Sequence, residues 1–109
     1  MRIQDVPFTA TDWSAVPESE HAGASGTATS RTFAEGNLRV RLVEYSPGYS
    51  ADHWCRRGHV LLVLAGELHT ELEDGTKLIL TPGMSYQVAD DLGAHRSSTA
   101  TGARLFIVD

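Results

Sequence analysis

Four side chains of metal-binding type stand out. His53, Cys55 and His59 fall within seven residues, in Asp52-His-Trp-Cys-Arg-Arg-Gly-His59, and His95 follows on a later segment. Imidazole and thiolate are the donors that zinc, iron, nickel and copper prefer, whereas magnesium and calcium take oxygen. Residues two apart on a strand share a face, so an extended segment through 49–55 would set His53 beside Cys55. Arg56-Arg57-Gly58 turns the chain, and His59, opening the next strand, would come alongside them. His95 arrives after the polar loop Ala89–Ala94. Spacing alone leaves plainer readings open. An imidazole can do no more than bond a backbone carbonyl, and a buried free cysteine can pack as a small hydrophobe.

The elements that must position these groups are read from periodicity. Asn37–Tyr45 alternates, with Leu38, Val40 and Leu42 assigned to one face and Arg39 and Arg41 to the other. Glu44 extends the apolar parity and is expected to point inward near the mouth of the fold. There it is a weak candidate for a base, as Cys55 is for a reactive group, or for an outer partner of an imidazole. Ser46-Pro47-Gly48 is a turn. His59–Ala65 is apolar on both faces, as in a central strand covered by two layers. Glu67–Glu73 alternates again, with Leu68 and Leu72 inward and Glu67, His69, Glu71 and Glu73 outward. Asp74-Gly75 reads as a type I′ hairpin turn, Thr76–Leu80 returns, Thr81-Pro82-Gly83 turns, and Met84–Val88 and Ala103–Val108 complete the strands. Short strands at even spacing with Gly/Pro turns indicate an all-β sandwich or barrel. Ahead of Arg31 the pattern lapses. Thr11–Pro17 allows one helical turn capped by Thr11 or Asp12, and Gly23–Ser30 reads as loop. Residues 1–30 are therefore expected to form an irregular arm lying on a barrel of residues 31–109.

The 109 residues suit one domain. With 9 basic residues against 14 acidic ones the net charge is −5, which disfavours nucleic acid or an anionic membrane surface as a partner. The longest apolar run, Val60–Ala65, is far below the ~20 residues that span a bilayer. Cys55 is the single cysteine and has no internal disulfide partner. Residues 1–13 carry charges and Pro7 where a leader needs an apolar stretch, so a cytoplasmic location with a reduced thiol is expected. Tyr45, Tyr49, Tyr86 and Trp54 are the aromatics nearest the proposed pocket. Arg56 and Arg57 either grip an organic anion or are simply solvated, and His69, alternating with glutamates, reads as solvated. His21 is assigned no role.

The same residues resemble the cupin motifs. The first runs Gly, a short gap, His-x-His, Glu, six residues, Gly. Here Gly48, His53, Cys55, His59 and Gly66 occupy those places, and Thr81-Pro82-Gly83 followed by His95 resembles the second. Asp52-His53-Trp54-Cys55 is similar to the signature of a small cupin family named for its DHCW motif. The resemblance covers roughly Leu38 to Asp109 and implies a single antiparallel jelly-roll barrel. It also implies a divalent transition metal (zinc, iron or nickel) on His53, Cys55, His59 and His95, a small polar ligand, and a homodimer. Two positions depart from the usual set, with Cys55 for a histidine and His59 for the glutamate. A thiolate replaces a carboxylate, so the ligand charge stays at −1 while the set softens away from manganese. Four protein ligands on zinc would close the site, and three histidines with Cys55 free would leave it open. Oxygenase- or isomerase-like chemistry, a sensing barrel and a structural zinc all remain compatible with the residues.

Overall fold

The computed structural model describes residues 2–109. One turn of 3-10 helix, Trp13–Ala15, precedes nine strands: β1 (Ser19–Ala22), β2 (Thr27–Glu35), β3 (Leu38–Tyr45), β4 (His59–Gly66), β5 (Leu68–Leu72), β6 (Lys77–Leu80), β7 (Ser85–Val88), β8 (His95–Ser98) and β9 (Ala103–Val108). Asp12 caps the 3-10 turn by accepting from the Ser14 backbone N–H. The strands form an antiparallel six-stranded sheet, β1-β2-β3-β9-β4-β7, and an antiparallel three-stranded sheet, β6-β5-β8. Val43, Leu61, Val63, Leu105 and Ile107 from the larger sheet meet Leu68 and Leu80 from the smaller one in a single core. A fully buried leucine such as Leu61, Leu68 or Leu105 contributes about 1.5–3 kcal/mol. No helix among the described residues is long and apolar enough to cross a membrane.

Inward parity on β3 is the reverse of the sequence expectation. Val43 is buried, Arg41 and Tyr45 share its face, and Glu44 is exposed on the opposite one. The register explains the reversal: Arg41 lies opposite Ile107 and Val43 opposite Leu105, both of which are buried. Asp109, on the inward parity of β9, pairs with both Arg39 and Arg41 and offsets part of their charge. Leu38, Val40 and Leu42 therefore form part of an apolar outer face. The doubly covered β4 is likewise corrected. Leu61 and Val63 point into the core, whereas Val60 and Leu64 on the outer side are 40% and 43% exposed.

Three local expectations also change. Residues 49–55 form no strand, only isolated bridges at Ser50 and Cys55, so strand geometry does not put His53 beside Cys55. The 72–77 connection is longer than a two-residue type I′ turn. Gly75 alone takes a left-handed φ, of 91°, and its N–H bonds the Leu72 carbonyl. Finally, β1 and the start of β2 fall within the first thirty residues, in a stretch whose small polar side chains gave no hydrophobic alternation. Ahead of β1, Trp13 stands edge-on to Phe106 of the larger sheet, and Arg31 donates to the Trp13 and Val16 carbonyls.

Gly66 ends β4 at φ 77°, and a Cβ there would stand 2.0 Å from the Gly102 carbonyl oxygen. The close approach follows a register shift between Val63 and Ala65. Gly66→Ala is expected to cost about 2–4 kcal/mol, from the left-handed backbone and a clash with main chain together. Gly75→Ala, where a Cβ meets open space, should cost only about 1–2 kcal/mol. Denaturant midpoints of the two variants check the difference.

Candidate metal centre

The centre is built from a ladder pair. Cys55 and His95 exchange both backbone bonds, Cys55 N–H to the His95 carbonyl at 2.7 Å and His95 N–H to the Cys55 carbonyl at 3.0 Å. In such an antiparallel pair the two side chains rise from one face side by side. His59 reaches them from the start of β4. Gly58 makes that approach feasible, because a Cβ there would meet the backbone of Ala89 and Asp90 at 2.5–2.8 Å. The donor atoms of Cys55, His59 and His95 all lie within 4.8 Å of one another. The two imidazole Nε2 atoms are 3.1 Å apart.

Hydrogen bonds set the tautomers. His95 Nδ1 stands 2.7 Å from the Gly93 carbonyl, which can only accept, so Nδ1 carries the proton and Nε2 presents a lone pair. His59 Nδ1 faces the Asp109 carboxylate at 3.7 Å, and that field favours N–H there. The His59 Nε2 lone pair then lies 2.9 Å from the Tyr86 hydroxyl, whose hydrogen bond a cation taking that lone pair would replace. Burial pushes the Tyr86 phenol well above its ordinary range, so it stays a donor. Two imidazole lone pairs thus face each other beside a thiol. This is an electron-rich arrangement that a cation relieves. Two nitrogens held ~2.0–2.1 Å from one ion at angles between square and tetrahedral stand about 2.8–3.4 Å apart, and the observed spacing fits. Burial first, and then the neighbouring His95, push His59 down to about 4, with Asp109 pulling the other way. His59 is therefore neutral and available as a ligand near pH 7.

The centre opens onto a cavity of about 260 Å³, whose walls include Tyr45, Tyr49, Tyr86, Arg41, Arg96 and Ser97. Tyr45 and Tyr49 stack at 4.1 Å between centroids, and burial pushes the Tyr45 phenol up to about 12.

No protein-family model matches the chain, and no curated protein matches it in sequence. Solved structures do match in fold. A predicted oxalate decarboxylase from Thermotoga maritima is similar with a TM-score of 0.77 and 13% identity, over 92% of this chain and 96% of that one. An RmlC-like cupin from Shewanella frigidimarina gives 0.73 and 20% identity, over 96% and 92%. Fe(II)-HppE with an alternative substrate, (S)-1-HPP, gives 0.75 and 16% identity, over 94% of this chain and 60% of that one. The fold is a cupin barrel.

Within the cupin barrel, three of the four expected donors converge: Cys55, His59 and His95. His53 does not join them. Its side chain is 77% exposed and its Nδ1 bonds Asp52 at 2.6 Å, although the residue lines the same cavity. Glu44 is exposed and lies outside the cavity. Tyr45, Tyr49 and Tyr86 line it as expected, whereas Trp54 stacks instead on the Arg96 guanidinium, 4.4 Å from the ring centroid. Arg56 and Arg57 are exposed, Arg56 pairing with Glu73. His69 pairs with Glu67 at the surface. Arg41 and Asp109 were missed as site residues. Their one signal was the pair of arginines on alternate positions of an otherwise apolar strand, which asks for an acidic partner on a neighbouring strand.

In the metal-free chain the low proton affinity of His59 has a defined sign. Between its ordinary 6.5 and about 4, the unfolded chain binds a proton that the folded chain refuses. The stabilisation held above pH ~6.5 is therefore lost as pH falls, and levels off below about pH 4. The loss by pH ~4.5 is expected to be about 2–3 kcal/mol. Denaturant titrations near pH 7 and pH ~4.5 should show it, and His59→Asn should remove most of it.

Proposed function

We propose that this chain is a metal-dependent cupin whose centre, held by Cys55, His59 and His95, binds and acts on a small polar molecule in the adjoining cavity. The observation that carries the reading is the convergence of two imidazole lone pairs, 3.1 Å apart, with the Cys55 thiol. The donor set favours zinc, iron or nickel over magnesium or calcium. Such an ion supplies Lewis acidity to an oxygen atom of the bound molecule. The chain's own residues do the rest. Gly93 and Asp109 orient the imidazoles, Tyr86 holds a proton beside His59, and Tyr45, Tyr49 and Tyr86 line the walls. An open site supports oxygenase- or isomerase-like chemistry, and the fold likeness to Fe(II)-HppE is in keeping with it. The Asp52-His53-Trp54-Cys55 stretch supports placement among the DHCW-motif cupins. A thiolate ligand suits the reducing cytoplasm.

A closed structural zinc would need His53 as fourth donor, and its exposed, Asp52-bound ring argues against that. A binding or sensing barrel without chemistry is favoured by a different observation: no carboxylate lines the cavity among the described residues to serve as a base.

Homodimer formation is part of the same proposal. Val40, Val108 and Val60 form one cross-strand row on the outer face, and Leu42, Phe106 and Leu62 form the next. Such an apolar face, only partly covered by Trp13, suits a second copy of the chain.

Protein purified without tag or chelator should carry close to one equivalent of transition metal. Cys55→Ala and His95→Ala should fall below about a tenth of that, while His53→Ala keeps most of it. A wild-type chain holding less than about a tenth of an equivalent, even after reloading, would end the metal reading. X-ray absorption should show a short metal–sulfur path, and an exchangeable water on the metal separates the open centre from a closed one. In sedimentation the wild-type chain should run as a dimer and Val60→Glu as a monomer. A monomeric wild type would remove the dimer proposal.

A further inference from the structure

We propose that the cavity beside the metal centre is a carboxylate-binding subsite, in which the Arg41 guanidinium takes the carboxylate of a small organic acid. This deepens the metal-centre reading, on which it rests in sharing one cavity with it.

Arg41 lies on the inner face of β3 and lines the cavity, yet its buried Nε–H has no acceptor. An unpartnered donor of a charged group in a protein interior is uncommon and calls for a partner. Asp109 does not supply it. That carboxylate is gripped by Arg39 through two bonds, at 2.7 and 2.8 Å, and meets Arg41 only through Nη2, at 3.2 Å. Two guanidinium groups thus share one carboxylate, which leaves positive charge in excess. The other charged and titratable groups facing the cavity do not offset it. Arg96 is paired with Glu71 at 3.3 Å, His59 is neutral, His21, His53, His95 and Cys55 complete the set, and no carboxylate lines the walls among the described residues. A divalent ion on a single thiolate leaves a further net charge of about +1. The chain as a whole carries −5, so this concave positive spot runs against the molecule's own balance.

Size and walls narrow the ligand. A volume of about 260 Å³ equals roughly nine water volumes at ~30 Å³ each, enough for an acid of on the order of ten non-hydrogen atoms. The stacked Tyr45–Tyr49 pair gives one side a flat, largely apolar surface. A short or planar monocarboxylate matches both features better than a sugar phosphate, which is bulkier and polar on every side.

Calorimetric titration of propionate and benzoate, of propionamide and benzamide, and of inorganic phosphate tests the assignment on the full chain, both stripped of metal and reloaded with zinc. Both acids should bind the metal-free chain, and the uncharged amides should bind weaker by about tenfold or more. Arg41→Met should weaken the acids by a similar factor, and Arg41→Lys, which keeps the charge but loses the planar fork, should fall between. A cooperative unfolding transition in each variant shows that it folds, and where Arg41→Met fails to fold, Arg41→Lys carries the comparison. Acids that bind only the zinc-loaded chain, or that bind either Arg41 variant as tightly as wild type, would overturn the proposal. So would phosphate binding more tightly than both acids. A chain that takes up no zinc but still binds the acids through Arg41 would lose the metal reading and keep this one.

Discussion

Asp109 holds the inner face of the larger sheet together. Its carboxylate, 2% exposed, receives two bonds from Arg39 and one from Arg41 and lies 3.7 Å from His59 Nδ1. Burial alone would raise its pKa, but the guanidinium of Arg39, and then Arg41, outweigh that and hold it ionised. A charge so placed is costly without partners and favourable with them. Three strands depend on the balance. β3 can turn its arginines inward because β9 brings the counter-charge, and β4 holds His59 with its Nδ1 toward the same carboxylate, while burial and the neighbouring His95 keep the ring neutral against the pull of Asp109. The orientation of the inner face and the chemistry of the centre are consequences of one electrostatic cluster.

The donors differ in how firmly the backbone holds them, and the difference follows from topology. Cys55 and His95 are locked by reciprocal main-chain bonds, and the Gly93 carbonyl fixes the ring of His95. His59 stands in β4, opposite Val88 of β7, with Tyr86 one inward position further along. His53 makes no ladder bond itself, lying between the bridges at Ser50 and Cys55, and its ring is held through its neighbour Asp52. Three donors are therefore preorganised and one is not. Preorganised donors lose little freedom on taking up an ion, whereas His53 would have to break a 2.6 Å bond and leave solvent. That ordering favours a centre with room for an outside ligand.

Most strand positions were legible from alternation and from turn residues, because Leu61, Val63, Leu68 and Leu105 follow a period of two and Gly and Pro mark the connections. The face assigned to β3 was not. Both of its faces carry bulky side chains, and the choice depends on Asp109, whose pairing with residues 39 and 41 no local period reveals. The same blindness misplaced Glu44 and hid Arg41. Cys55, His59 and His95 could be named from donor type and motif spacing. The exclusion of His53 could not, since it turns on the chain between Ser50 and Cys55 forming no continuous strand. The strand character of 27–30 escaped for a simpler reason: Ala28 and Ser30 face a cavity rather than the core and need no apolar bulk.

Departures from ordinary burial rules are concentrated at one end of the barrel. The apolar end, around Leu68, Leu80, Val63 and Leu105, has close-packed aliphatic side chains. Among the described residues, the buried side-chain polar atoms without partners are Arg41 Nε, His59 Nδ1 and Thr70 Oγ1. The first two belong to residues lining the cavity, and Thr70 pairs across the ladder with Ser97, which lines it too. Unsatisfied polar groups weaken a fold, and stability alone would replace them with hydrocarbon. Their confinement to the end that carries Cys55, His59 and His95 is what a site tolerates when a partner arrives from outside, here an anion for the guanidinium, while His59 Nδ1 has only the Asp109 carboxylate 3.7 Å away. The apolar end supplies the stability that lets the polar end stay incomplete.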